Sequence, residues 1–205
     1  MIKLGVLLSG SGSNLQAIID AIVEGRLNAS IELVVSSRPD AFGLERAQKA
    51  GIPTVALTRE TYIDPLAADA LICEELQKVN VDYLVMAGYM RMVRSPLLQA
   101  FPNRIINIHP ALLPAFPGAH GIADAFAAGV KVTGVTVHFA SEIYDTGPII
   151  AQRAIEVRED DTLESLEQRI HSVEHQLYPE VLQLIAQGRV SIREDGVVRI
   201  EEEAT

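Results

Sequence analysis

Short apolar runs alternate with amphipathic segments along most of the chain, and this alternation predicts strands and helices in turn. Apolar runs of this length are typical of buried strands, and spacings near 3.6 residues are typical of helices with one buried face. The predicted strands are Ile2–Leu8, 31–36, 54–57, 83–87, Ile105–His109, Val132–Phe139 and 149–157. The predicted helices are 14–24, 41–50, 66–79 and a long one that Thr162 and Ser165 introduce and that runs to about Gln187, followed by a hairpin of 190–193 and 197–200.

Strands that alternate with helices of this length predict an α/β fold with a mostly parallel central sheet and helices on both faces. Ligands of such sheets bind at the carboxyl ends of the strands. Three loops therefore become candidates for the functional site, namely those that follow Leu8, Ala87 and His109.

Composition narrows the class of protein. The chain has 205 residues and a formal net charge of −10, and its isoelectric point is about 4.9. This length predicts a single domain over residues 1–205. The acidic balance argues against partners such as nucleic acid or a membrane surface, which attract basic proteins. An anionic ligand must therefore be held by local donors rather than by the overall field.

Cysteine content and hydropathy indicate the compartment. The single cysteine, Cys73, leaves no internal disulfide and no cysteine-based zinc site. The sequence contains no apolar stretch long enough to span a membrane, and its first apolar run is too short for a signal peptide. We therefore expect a cytoplasmic protein.

The first candidate loop, Ser9-Gly10-Ser11-Gly12-Ser13-Asn14, joins a strand to a helix. Glycines allow the backbone to approach a ligand, and free N–H groups at a helix start favour a phosphate. The dinucleotide fingerprint is incomplete, since Leu15 replaces its third glycine and no acidic residue ends the second strand, although Arg38 leaves NADP open. The alternative is that Ser13 or Asn14 only caps the helix.

Asn107 and His109 lie two residues apart on one predicted strand and therefore share a face of the sheet. An amide and an imidazole together suit an oxyanion, which predicts acyl or one-carbon transfer through a tetrahedral intermediate. The alternative is a histidine that only contacts a backbone carbonyl. His138, His171 and His175 are interpreted as structural.

The third feature is the acidic segment Ser141-Glu142-Ile143-Tyr144-Asp145, which precedes Thr146-Gly147-Pro148. Asp145 is either an ordinary turn residue or a carboxylate that reaches His109 and favours the imidazolium.

Four segments together resemble the phosphoribosylglycinamide formyltransferase family, and the resemblance covers essentially the whole chain. They are Ser9-Gly10-Ser11-Gly12-Ser13-Asn14-Leu15-Gln16, Ala87-Gly88-Tyr89-Met90-Arg91, Asn107-Ile108-His109-Pro110-Ala111-Leu112-Leu113-Pro114 and Asp145-Thr146-Gly147-Pro148, in the order and spacing of that family.

The resemblance implies a Rossmann-like formyltransferase fold and a role in purine (IMP) biosynthesis. The formyl group of the co-substrate 10-formyltetrahydrofolate would pass to the amine of 5-phosphoribosylglycinamide, with no metal. The implied catalytic residues are Asn107, His109 and Asp145. The implied ribonucleotide-binding residues are Gly12, Ser13, Asn14 and Glu174. The implied folate-binding residues are Met90, Arg91, Met92, Val93, Asn107, Ser141, Glu142, Ile143, Tyr144 and Asp145.

Two positions depart from the pattern of some members. Pro65 stands where some carry a basic residue, which puts a folate-tail contact in doubt. Some carry a second histidine just after the position of His120, whereas Gly121-Ile122 follow here, which puts the substrate affinity in doubt. Neither departure touches Asn107, His109 or Asp145.

Three alternatives remain. A 10-formyltetrahydrofolate hydrolase shares the three catalytic residues, although an N-terminal regulatory domain is expected there and the first strand here begins at Ile2. A formyltransferase of initiator tRNA would need a further domain and a basic surface. A non-catalytic nucleotide-binding module would need only the glycine loop. The oligomeric state is expected to be a monomer or a weak homodimer.

Overall fold

The computed structural model describes residues 1–202. Its contacts cluster in two compact units, Met1–Asn107 and a second one that begins at Ile108. The single domain over residues 1–205 stays a prediction, and residues 203–205 lie outside the described part.

The first unit is built from parallel strands with helices between them. Strands β1 (Ile2–Leu8), β2 (Ala29–Ser36), β3 (Thr54–Ala56), β4 (Tyr83–Met86) and β5 (Ile105–His109) lie in the order β3-β2-β1-β4-β5. The pairs β2–β3, β1–β2, β1–β4 and β4–β5 are all parallel. The helices are α1 (Ser13–Val23), α2 (Phe42–Lys49), α3 (Pro65–Lys78) and α4 (Ser95–Ala100), with a 3-10 turn at Thr61–Ile63.

Strand burial explains the near-continuous apolar runs in the sequence. Leu4, Val6 and Leu7 of β1 are fully buried, although they point to alternating sides of the strand. A strand that is covered on both sides must be apolar at successive positions. β1 therefore lies in the core of this unit, and its carboxyl end leads directly into the glycine loop.

The second unit combines an antiparallel pair of strands with a long helix. Strands β6 (Val132–Phe139) and β7 (Ile149–Glu156) pair antiparallel, and β8 (Val190–Ile192) and β9 (Val198–Ile200) form a small hairpin. The helices are α5 (Gly121–Ala127) and α6 (Leu163–Ala186). A capping box fixes the start of α6, since the Thr162 side chain accepts from Ser165 N–H and Ser165 returns a bond.

The predicted fold class is confirmed, because the seven strands of the main sheet are mostly parallel and alternate with helices. Most predicted elements are found within a residue or two of their expected bounds. Sequence reasoning missed α4 and α5, which have only 6 and 7 residues. Such short helices give too few periods for a hydrophobic pattern, and α5 begins in a segment rich in Pro and Gly. No helix within residues 1–202 is long and apolar enough to cross a membrane.

Candidate active site

The end of β5 carries the first two candidate catalytic residues. Asn107 pairs with Met86 of β4 and is partly buried, and His109 is 3% exposed. Because side chains alternate along a strand, both residues lie on one face of β5. Ile108 occupies the opposite face and is buried.

Both nitrogens of the His109 ring face oxygen atoms. Nδ1 lies 3.5 Å from Asp145 Oδ2, and Nε2 lies 2.8 Å from the Phe116 carbonyl oxygen. A carbonyl can only accept a hydrogen bond, so Nε2 carries a hydrogen in this arrangement. The sequence left two alternatives for this histidine, a carbonyl contact or a carboxylate partner, and the structure contains both contacts.

Asp145 is a buried carboxylate with several partners in the second unit. The Gly118 N–H donates to its Oδ2 at 2.8 Å, and His138 Nε2 lies 3.6 Å from its Oδ1. Burial by itself would raise the pKa of Asp145. The hydrogen bonds with His138 and Gly118, together with the charge interactions of His109 and His138, outweigh burial and hold that pKa below its ordinary value. The carboxylate is therefore ionised at neutral pH.

His138 belongs to this cluster although sequence reasoning interpreted it as structural. It lies on β6, is 2% exposed and donates from Nδ1 to the Phe139 carbonyl at 2.9 Å. That bond fixes the ring so that Nε2 points to Asp145. The sequence does contain one signal for this role. His138 stands among apolar residues of a predicted strand, seven residues before Asp145.

The segment around Asp145 is held by its own side chains. Ser141 Oγ and Thr146 Oγ1 each donate to the Ile143 carbonyl, at 2.9 and 3.1 Å. Asp145 itself has a φ of 55°, a left-handed conformation that aspartate tolerates better than most residues. Glu142 and Ile143 are exposed, and Tyr144 is partly buried, with burial raising the pKa of its hydroxyl.

Gly121 lies against the contact between His109 and Phe116. A Cβ atom at this position would lie 3.0 Å from His109 Nε2 and 3.1 Å from the Phe116 carbonyl oxygen. Any larger side chain would press on the contact between those two atoms. The glycine therefore leaves room for the present position of the His109 ring.

The glycine loop of the first unit has the geometry of a helix start without a side-chain cap. Gly12, with a φ of 70°, is the N-cap residue of α1, so neither Ser13 nor Asn14 occupies the N-cap position. A Cβ atom at Gly12 would lie 2.5 Å from Gly43 Cα, which makes glycine necessary there. The Arg46 side chain donates to the Ser11 carbonyl at 2.9 Å and supports the loop.

Met90–Val93 forms an open stretch in the same unit. Met90 and Met92 are 64% and 39% exposed, Arg91 is exposed, and Val93 is buried. The Met90 N–H donates to Ser9 Oγ at 2.8 Å, and Ser9 Oγ in turn lies 2.6 Å from Ser37 Oγ. The stretch therefore has two exposed apolar side chains, and a hydrogen bond holds its backbone at Met90.

Glu174 lies on α6 in the second unit and is 4% exposed. His171 Nδ1 lies 2.8 Å from its Oε2, one helical turn away. The hydrogen bond with Glu174 raises the pKa of His171. Within residues 1–202, no group of three or more His, Cys, Asp or Glu side chains is placed to hold a metal ion.

Comparison with known proteins identifies the family. A family model described as formyl transferase matches residues 2–182. A phosphoribosylglycinamide formyltransferase from Bacillus subtilis is 49% identical over 182 residues, which are 89% of this chain and 93% of that protein. The crystal structure of glycinamide ribonucleotide transformylase 1 from Symbiobacterium toebii superimposes with a TM-score of 0.95 at 51% identity and covers 98% of this chain and 95% of its own.

A second structure, phosphoribosylglycinamide formyltransferase from Bacillus halodurans, gives a TM-score of 0.87 at 45% identity and covers 89% of this chain and 94% of its own. The family match extends over most of the chain. The chain belongs to the formyl transferase family.

Proposed function

We propose that this chain transfers the formyl group of 10-formyltetrahydrofolate to the amine of 5-phosphoribosylglycinamide, a step of purine biosynthesis. The observation that carries the proposal is the buried His109–Asp145 pair at the end of β5 in a chain of the formyl transferase family. The similarity to two solved transformylase structures over nearly the whole chain supports the same substrates.

The reaction places negative charge on one oxygen. The amine nitrogen attacks the formyl carbon, and the carbonyl electron pair moves to its oxygen to give a tetrahedral oxyanion. Collapse of this intermediate breaks the bond between the carbon and N10 of the folate, and the proton lost by the amine reaches N10. Donors that are fixed before the reaction stabilise the oxyanion at no cost in reorganisation.

Asn107 and His109 are the proposed donors. The Asn107 amide donates one N–H, and His109 donates from Nε2. In the free chain the Phe116 carbonyl accepts at 2.8 Å from Nε2, the distance that an oxyanion would take. We infer that the substrate oxygen replaces that carbonyl when the site fills, so the segment that carries Phe116 must shift.

Asp145 orients His109 and balances its charge. Its carboxylate faces Nδ1 and is itself fixed by the Gly118 N–H. A hydrogen on Nδ1 would point to this carboxylate while Nε2 donates to the oxyanion. The low pKa of Asp145 keeps the carboxylate ionised at the pH of the reaction. We propose that His109 or an ordered water relays the amine proton to N10.

The two substrates are assigned to the remaining candidate residues. We propose that Gly12, Ser13 and Asn14 hold the phosphate and ribose of the ribonucleotide, because backbone N–H groups at the start of α1 favour an anion and the N-cap residue is a glycine. Glu174 is proposed to contact the same substrate. The folate is proposed to bind Met90–Val93, whose exposed methionines offer apolar surface, together with Asn107 and residues 141–145.

We propose that the enzyme is cytoplasmic and acts on small molecules as a monomer or weak homodimer. We propose no nucleic acid or membrane partner. The net charge of −10 supports the last two points.

The proposal is tested by following the release of tetrahydrofolate from 10-formyltetrahydrofolate by absorbance, with and without 5-phosphoribosylglycinamide. Release that requires the ribonucleotide, with formylated ribonucleotide as the product, is expected. Equal release in its absence would mean that water is the acceptor, and the hydrolase alternative would replace the transferase. No release under either condition, with ribonucleotide still bound, would favour a non-catalytic nucleotide-binding module.

A further inference from the structure

Tyr62 contacts the proposed folate-binding stretch in two ways, and both contacts lie within the first unit. The guanidinium carbon of Arg91 lies 4.5 Å from the centroid of the Tyr62 ring. The Tyr62 hydroxyl lies 2.8 Å from the Tyr89 hydroxyl. One side chain therefore holds both the residue before Met90 and the residue after it.

The backbone on either side of Arg91 is fixed independently of Tyr62. The Met90 N–H donates to Ser9 Oγ at 2.8 Å, and the Arg94 N–H donates to Asp69 Oδ2 at 2.6 Å. Arg91 is exposed between these two anchors and forms no ion pair with any of residues 1–202. The ring of Tyr62 is thus what restricts the Arg91 side chain.

The hydroxyl pair fixes the orientation of the ring. Tyr89 is 4% exposed and cannot turn away from its partner. Burial raises the pKa of both tyrosines, so both groups remain hydroxyls at neutral pH. A phenol held at its oxygen keeps one ring face toward Arg91, and a guanidinium over such a face is attracted by the ring quadrupole.

We propose that Tyr62 is a positioning residue for folate binding. It holds the Arg91 guanidinium, which has no carboxylate partner of its own, ready for an anionic group of the folate. The proposal rests on the proposed function. In it, Tyr62 affects folate affinity only by holding the Arg91 side chain. A flexible arginine would lose side-chain freedom on binding, whereas an arginine already held on a ring loses less.

The test compares Tyr62→Leu, Tyr62→Phe, Arg91→Ala and the double variant Tyr62→Leu/Arg91→Ala. Formyl-transfer kinetics give KM for each substrate and kcat, and calorimetry gives the Kd of tetrahydrofolate without any reaction. For Tyr62→Leu we expect KM and Kd of the folate to rise about five- to tenfold, with ribonucleotide KM and kcat unchanged. Tyr62→Phe keeps the ring but loses the hydroxyl contact with Tyr89, so we expect a loss of folate affinity between those of the wild type and Tyr62→Leu.

The double variant separates positioning from general structure. If Tyr62 acts through Arg91, Tyr62→Leu has no further effect on folate affinity in the Arg91→Ala background. Additive losses, or a wild-type Kd for Tyr62→Leu, would overturn the proposal. Tyr83→Phe, at the amino end of β4, is the matched control and should behave as wild type.

Two outcomes keep the test separate from the proposed function. If the wild type shows no ribonucleotide-dependent transfer, the proposed function fails, whatever the Tyr62 variants do. If Tyr62→Leu does not fold, Arg91→Lys probes the same contact from the other side, because lysine keeps the charge without the planar stack. Arg91→Lys with wild-type folate affinity would contradict the positioning role, and a loss like that of Arg91→Ala would support it.

Discussion

Two buried aspartates, one in each unit, have pKa values that are shifted in opposite directions. Asp145 is 8% exposed and Asp69 is 2% exposed. The pKa of Asp145 is lowered despite burial, whereas burial raises the pKa of Asp69 to about 6. Asp145 faces two imidazoles and one backbone N–H. Asp69 accepts one backbone N–H, from Arg94, and the charge of Arg94 also lowers its pKa, but burial outweighs both.

The difference shows that partners, more than burial, decide the direction in which the pKa of a buried carboxylate shifts. Two imidazoles and an N–H compensate the desolvation of Asp145, and one N–H does not compensate that of Asp69. A carboxylate with several donors is suited to chemistry that needs a fixed negative charge. A carboxylate with one donor is suited to holding a backbone segment, here residues 90–94.

The largest effect on turnover is expected for His109→Ala, which removes one of the two imidazoles that face Asp145. Removal of one oxyanion donor typically lowers turnover about 100- to 1,000-fold. Ribonucleotide affinity should stay near that of the wild type, because the residues proposed to bind it are elsewhere. Steady-state kcat and a calorimetric Kd measure the two effects separately. Unchanged turnover would remove His109 from the mechanism.

A smaller effect is expected for His138→Gln. Loss of the imidazole facing Asp145 Oδ1 should raise the pKa of Asp145. It should lower kcat only a few-fold at neutral pH, because the carboxylate stays ionised there and loses one of the groups that fix its orientation. Carbon-13 NMR of the Asp145 carboxyl reports the pKa directly. His120→Gln is a control, since the exposed His120 lies at the start of α5 and forms no ion pair with Asp145. A loss of turnover without any change in the Asp145 titration would contradict the role given to His138.

The smallest effect is expected for Asp69→Asn, and it is a change in the pH dependence of folding stability. The pKa of Asp69 is about 6 in the folded chain and near 3.9 when unfolded. Its protonated form therefore favours folding fully below about pH 4, and this contribution is lost as pH rises through about 6. Asp69→Asn should gain about 1–2 kcal/mol of stability relative to wild type between pH 4.5 and 7.5.

Urea unfolding of both proteins at the two pH values measures this change. Asp40→Asn is the matched control, because the hydrogen bond with exposed Arg38 lowers the pKa of Asp40 and gives a pH dependence of opposite sign. If the stability of Asp69→Asn relative to wild type does not vary with pH, burial does not raise the pKa of Asp69, and the account of this residue is wrong.

The sequence predicted those parts of the site that local pattern controls. Strand alternation placed Asn107 and His109 on one face, and the apolar run of β1 located the glycine loop. The contact of His109 with Phe116 depends on a backbone φ of 54° at Phe116, which no local pattern indicates. The role of His138 depends on the pairing of β6 and on the fold of residues 141–145, which are tertiary features.

Asp69 has a signal in the sequence that indicates its buried position. It lies three residues before Ile72 and seven before Leu76, both of which are buried on α3. A polar residue in a buried helical stripe indicates a fixed partner. The identity of that partner, the Arg94 N–H, still required the structure.

The most direct measurement compares the rate of formyl transfer by Asp145→Asn and Asp69→Asn at neutral pH with both substrates saturating. Each variant replaces one buried carboxylate by an amide of the same shape. The account predicts that Asp145→Asn loses about 100-fold or more in kcat, while Asp69→Asn stays close to the wild type. Equal rates for the two variants would contradict it, because the ionised Asp145 would then have no part in the reaction.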